Sequence, residues 1–195
     1  MVAAGTGAER SVEQFADSAA FVAWLRSNHD THPGIWMRIA KKAAPVATIS
    51  YPDAVDAALA WGWIDGQRRP LDEHFFLQGF TRRAPRSVWS RRNADRVRAL
   101  EEAGAMSPAG LREVAAARAD GRWDSAYEGA ATATAPDDFL AELRAVPEAA
   151  AFYETISAAN RYAIYWRVTQ AKRPETRARR ISLFVDMLAR GETLH

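Results

Sequence analysis

The chain contains no cysteine. That absence removes disulfide frameworks, thiolate metal sites and cysteine nucleophiles. Histidine is scarce, and His29, His32 and His74 match no zinc-ligand spacing, so no metal site is expected. Long hydrophobic runs are missing: no stretch approaches the ~18 apolar residues that a membrane span requires. The opening residues, Met1 to Gly7, do not set a basic segment before an apolar one, so the chain is expected to be soluble and cytoplasmic. There is no glycine loop closing on a lysine and no G-x-S-x-G elbow, and no cofactor is expected. Charge of one sign is lacking too. Lys and Arg total 26 against 24 Asp and Glu, a net of +2, which does not by itself demand nucleic acid.

What is present suffices for a real core. The 195 residues are 48% hydrophobic, enough for one domain or a domain with a small partner. Residues 1–10 read as a loose tail. Asp17 or Ser18 can cap a first helix that carries Phe21, Val22 and Leu25 on one stripe. A Pro-Gly break then introduces a strand from about Gly34 to Lys41. A helix follows Ser50, with Pro52 near its start and Gly62 as its stop. "WIDGQRR" and "EHFFLQGFTRR" read as a hairpin around Pro70 and Leu71. Beyond Pro85 the periodicity is helical, over about 90–103, 108–119, 137–144, 147–157, 158–171 and 174–190. "GAATATAP", 129–136, has the composition of a linker. The expected fold is α+β, with a small mostly antiparallel sheet in the N-terminal half and a helical C-terminal half. The expected division is an α+β domain over 1–128 and a helical subdomain over 129–195 packed on it.

Arginine is concentrated where the backbone disfavours it. Arg82, Arg83, Arg86, Arg91, Arg92, Arg96 and Arg98 face one nearby acid, Asp95. The helix expected from residue 90 has an electropositive start, where carboxylates are the usual residues. Free N–H groups, hydroxyls and guanidinium groups together make an anion site. Arg86, Arg91 and Arg96 would neutralise charge, Ser87, Ser90 and Asn93 would donate hydrogen bonds, and Trp89 would pack on the ligand. The same arginines could instead brace the fold by pairing with Asp56, Asp65, Asp72 or Glu73, and the sequence leaves both roles open. A second cluster holds Lys172, Arg173, Arg177, Arg179 and Arg180. Arg177 heads the stripe of Ile181, Phe184 and Leu188, so it must find a carboxylate, a carbonyl or a ligand. In the hairpin, Asp65 and His74 fall on one face if the turn lies near Pro70, an acid–base pair at its minimum.

Several segments together carry a family resemblance. "WLRSNHDTHPGIWMRIAKK", "SYPDAVDAALAWGWIDGQRR", "RSVWSRRNADRVRALEEAGAMSPAGL", "ADGRWDSAY" and "AKRPETRARRI" occur in this order. From about Trp24 to Leu188 the chain resembles the YdeI/OmpD-associated proteins, also labelled bacteriocin-protection proteins. The resemblance implies protection against antimicrobial peptides or envelope stress. It supplies no catalytic residue. The family's pattern falls on Ser87, Trp89, Ser90 and Asn93, and again on Lys172, Arg173, Thr176 and Arg177. Some members are described as periplasmic, from which this chain departs in showing no export signal.

The first functional expectation is therefore a binding protein for an anionic small molecule or nucleotide, with nucleic acid as an alternative partner. The others are a small-molecule enzyme using Asp65 and His74, and a protein-interaction module with a basic docking surface. The oligomeric state is not legible.

Overall fold

The computed structural model describes residues 10–194. Most of the expected loose tail, 1–9, lies outside the described residues. The described part begins with a short strand, β1 (Ser11–Glu13), followed by α1 (Ser18–Asn28). Asp17 caps α1 by accepting a hydrogen bond from the Ala20 amide at 2.8 Å. Strand β2 (Ile35–Ala40) alternates as its sequence requires, burying Ile35, Met37 and Ile39. In α2 (Tyr51–Ala60), Ser50 caps and Pro52 sits in the first turn. Gly62 then turns the chain at φ +74° into the hairpin of β3 (Trp63–Pro70) and β4 (Phe75–Arg82).

The strand order is β1-β2-β4-β3. β4 is antiparallel to both neighbours, while β1 lies parallel to β2 with Ser11 opposite Ile35. The fold is α+β with a mostly antiparallel sheet as expected, and the parallel β1 makes that sheet mixed. Three residues cannot announce themselves as a strand by alternation, and the parallel partner is distant in sequence.

The helices that follow are α3 (Arg91–Glu102), α4 (Pro108–Ala119), α5 (Asp137–Arg144), α6 (Pro147–Tyr153), α7 (Ala158–Thr169) and α8 (Pro174–Ala189). The expected helix over 147–157 stops at Tyr153 because Ser157 caps the next one, accepting from the Asn160 amide at 3.2 Å.

The chain divides into two compact units. One takes residues through Trp89 together with Asn93–Ser125, and the other takes Ser90–Arg92 and Ala126 onward. The first unit's core brings together Phe21, Leu25, Met37, Leu59, Trp63, Phe80, Trp89 and Val97, each at most 2% exposed. The second unit's core gathers Phe139, Leu143, Ile164, Val168, Ile181, Phe184 and Leu188. Within the first unit, α4 crosses α2 at Gly110, where a Cβ would collide with the Ala60 carbonyl. That close approach sets the first turns of α4 beside the C-terminal end of α2.

Candidate functional site

The arginine-rich stretch begins as β4 ends. Arg83 is only 5% exposed, and its guanidinium donates to the Val88 carbonyl at 2.8 Å. It also lies 3.7 Å over the Trp89 ring. Trp89 in turn meets Trp123 edge-to-face, with centroids 5.0 Å apart. At 1% exposure Trp89 is a core residue rather than an open ligand platform: Arg83 lies over its ring and Trp123 packs against it at a steep angle. The Ser87 hydroxyl closes a local turn by accepting from the Ala84 amide at 3.1 Å.

Three of the four arginines of α3 pair with carboxylates, and the fourth, Arg92, is exposed with no carboxylate partner among the described residues. Arg96 donates to Asp56 at 2.5 Å and to the Pro52 carbonyl at 3.3 Å, tying α3 to α2. Arg98 pairs with Asp95 at 2.5 Å. Arg91, in the second unit, pairs with Glu128 at 3.2 Å, and its amide donates to the Tyr127 carbonyl at 2.8 Å. Ser90 forms a single bridge with the same Tyr127. Asn93 is half-buried in the first unit. Of the four bracing acids foreseen, Asp56 is used by Arg96, whereas Asp65 accepts from the Tyr51 hydroxyl at 2.7 Å, Asp72 accepts from the His74 and Phe75 amides, and Glu73 pairs with no arginine among the described residues.

Arg177 resolves its position in the second unit by the first two of its three options. It grips both oxygens of Asp138, at 2.5 and 2.8 Å, and donates to the Val168 carbonyl at 3.0 Å. The pair is bidentate. The Arg177 hydrogen bonds hold the Asp138 carboxyl below the usual carboxylate range, against a smaller opposing effect of burial.

The acid–base pair of the hairpin does not form. Asp65 stands opposite Phe80, and an irregularity between Asp65 and Arg68 shifts the register. His74 lies in the turn, its amide donating to Asp72 at 2.8 Å. Six residues of strand separate it from the Phe80 level, about 20 Å at ordinary strand rise. Asp65 and His74 cannot act on one substrate atom from those places.

What sequence reasoning missed is a cavity of about 250 Å³ in the first unit. Its wall carries Arg82, Arg83, Arg112, Trp61, His29, Asp30 and Glu113. The end of α1 supplies His29 and Asp30, the end of α2 supplies Trp61, β4 supplies Arg82 and the start of α4 supplies Arg112 and Glu113. Arg82 donates to the Asp30 carbonyl at 2.6 Å. The Asp30 carboxylate lies 3.1 Å from His29 Nε2. Arg112 is exposed and has no carboxylate partner among the described residues. Arg86 is exposed as well, one residue beyond the lining Pro85. Trp61 is half-buried, edge-to-face with His29 at 5.0 Å. The wall thus combines guanidinium donors with one flat indole, the combination that the sequence had placed at Trp89. The signal in the sequence was "WG" after α2 and the Ser-Pro-Ala-Gly start of α4, whose glycine permits the close crossing.

Among the described residues no group of three or more His, Asp or Glu is arranged to hold a metal ion, and no helix is long and apolar enough to cross a membrane. Neither a curated protein nor a solved structure matches the chain. Two family models do, and each match falls almost wholly within one unit. Residues 132–191 match the family described as bacteriocin-protection, YdeI or OmpD-associated. The resemblance read from Trp24 onward is therefore carried by the C-terminal part. Lys172, Arg173, Thr176 and Arg177 lie inside that match, whereas Ser87, Trp89, Ser90 and Asn93 lie outside it. Residues 13–113, half of the chain, match a domain of unknown function, DUF8412. The chain belongs to the DUF8412 family, and its residues 132–191 match the model of the bacteriocin-protection, YdeI or OmpD-associated family.

Proposed function

We propose that the chain is a binding protein for a small anionic ligand, one that bears a phosphate beside a flat group, as a mononucleotide does. The site is the cavity of the first unit. The observation that carries this reading is a contrast of partners: Arg91, Arg96, Arg98, Arg118 and Arg122 each reach a carboxylate, while Arg82 and Arg112, on the cavity wall, reach none among the described residues. A guanidinium group left without an acid on a concave wall can grip phosphate oxygens in parallel. Asp30 and Glu113 on the same wall favour a ligand that also offers a donor, which a nucleobase does. Trp61 gives the base an apolar surface. Arg86 draws the anion toward the site from its exposed position. The family description over 132–191 supports placing this binding in bacteriocin protection.

Calorimetry with AMP, a cyclic dinucleotide, inorganic phosphate, and short RNA and DNA tests the reading. AMP or the cyclic dinucleotide should bind saturably, and Arg82→Gln or Arg112→Gln should each weaken binding roughly tenfold. Preference for RNA or DNA would show that phosphate is recognised within a polymer. If no phosphate compound binds, or if both substitutions leave the affinity unchanged, the reading fails.

A further inference from the structure

The second unit holds a separate cavity of about 300 Å³, bounded by the 130–135 segment, α5, α6 and α7. On α7, Ala158, Arg161, Tyr162 and Tyr165 face it together, at the spacing of one helical face. Tyr162 and Tyr165 stack on one another, centroids 5.7 Å apart and planes 27° apart. Their hydroxyls are already committed: Tyr165 accepts from the Glu128 amide at 2.9 Å, and Tyr162 donates to the Glu128 carbonyl at 3.4 Å. Pinned at their polar ends, they present ring surface. Leu140 and small alanines complete an apolar wall.

Two polar groups on this wall have donors left over. Tyr153 is 8% exposed, yet its hydroxyl makes no hydrogen bond among the described residues. Its ring is held edge-on to Phe139 at 5.7 Å, and burial pushes its hydroxyl pKa up, so it stays a donor. Arg161 donates through Nη2 to the Glu154 carbonyl at 2.7 Å, but its Nε–H is buried with no acceptor. The nearest carboxylate, that of Glu154, is 3.8 Å away and 74% exposed. That Nε–H has no accessible surface, so a ligand in the cavity meets the guanidinium at its Nη end, on a side chain that is 39% exposed. The Arg161 guanidinium lies 5.4 Å from the Tyr153 ring centroid, so both donors serve one corner of the cavity.

We propose that this cavity binds a small planar aromatic acid of the size of benzoate, its ring against Tyr162 and Tyr165 and its carboxylate at Arg161 and the Tyr153 hydroxyl. The volume stands at the lower end of the range for ligand pockets, about 300–1,000 Å³, which favours a single ring. Stacking tyrosines select a flat ring over a puckered one. The unmatched donors select a carboxylate over a neutral amide. The inference stands apart from the reading of the first unit, with no residue in common.

Calorimetry with sodium benzoate tests it, with cyclohexanecarboxylate and benzamide as comparators. Benzoate should bind saturably, and each comparator roughly tenfold more weakly. Arg161→Gln should weaken benzoate binding about tenfold or more. Tyr153→Phe, which keeps the ring and its packing, should weaken it a few-fold with an unchanged melting temperature. Neither variant should alter AMP binding in the first unit. The proposal is overturned if benzoate gives no saturable heat up to about 10 mM, if cyclohexanecarboxylate binds as well, or if Tyr153→Phe and Arg161→Gln both bind benzoate as the parent does.

Discussion

Arg96 and Arg112 stand sixteen residues apart in the same unit and have opposite surroundings. Arg96 is half-buried, 2.5 Å from Asp56 and bonded to the Pro52 carbonyl. Arg112 is exposed on the wall of a cavity and has no acid within reach among the described residues. In the sequence the crowd between Arg82 and Arg98 looks like one population. In the structure it is mixed: Arg91 and Arg96 meet acids from distant segments, Arg98 pairs with Asp95 inside α3, Arg83 is buried over Trp89, and Arg82, Arg86 and Arg92 are exposed. Clustering along a chain therefore says little about purpose. What distinguishes the two kinds of arginine is whether an acid from a distant segment arrives at the same place.

The comparison can be broken at Trp89. As a core residue it should cost about 3–5 kcal/mol when cut to alanine, read by chemical denaturation. A loss below about 1 kcal/mol, with ligand binding impaired instead, would return Trp89 to the role of a ligand platform. Arg96→Met should cost less, about 1–2 kcal/mol, because Asp56 is left without its partner but is partly solvated. A neutral result would mean that Arg96 does not brace α3. Arg177 extends the bracing class to the second unit and makes a pH prediction. Its hydrogen bonds lower the folded pKa of Asp138, so the pair's contribution is present above the ordinary carboxylate pKa of about 3.9 and is lost as pH falls through the lowered value. Melting followed below about pH 4 should show that acid loss in the parent and a shallower one in Arg177→Met. The smallest effect on stability belongs to Arg112→Gln, within about 0.5 kcal/mol, as for a surface cation that holds nothing together.

Much of the fold was legible because local signals were strong. Asp17, Ser50 with Pro52, and Pro174 mark helix starts where the structure has them. The alternation of Ile35, Met37 and Ile39 marks β2. What could not be read depends on segments far apart. β1 is three residues that become a strand only beside β2. The hairpin turn closes over Leu71–His74, beyond the Pro70 that the sequence suggested, so His74 sits in the turn while Asp65 lies opposite Phe80. Trp89 is buried by Trp123, 34 residues later, so its neighbours in sequence gave a false setting. The cavity of the first unit needed the ends of two helices, the last residues of β4 and the start of α4 at once. Arg82 was visible as part of the cluster and Trp61 as the residue before the Gly62 stop, while Arg112 carried no mark until Gly110 brought α4 against α2.

The central claim is that the two classes of arginine differ in use. It is tested most directly by one ratio, the Kd for AMP of the Arg82→Gln/Arg112→Gln double variant over that of Arg91→Gln/Arg96→Gln, measured at one temperature and salt concentration. The structure predicts roughly a hundredfold loss for the first and affinity near the parent's for the second, provided the second remains folded by circular dichroism. Equal affinities in the two double variants, or a loss confined to Arg91 and Arg96, would contradict it.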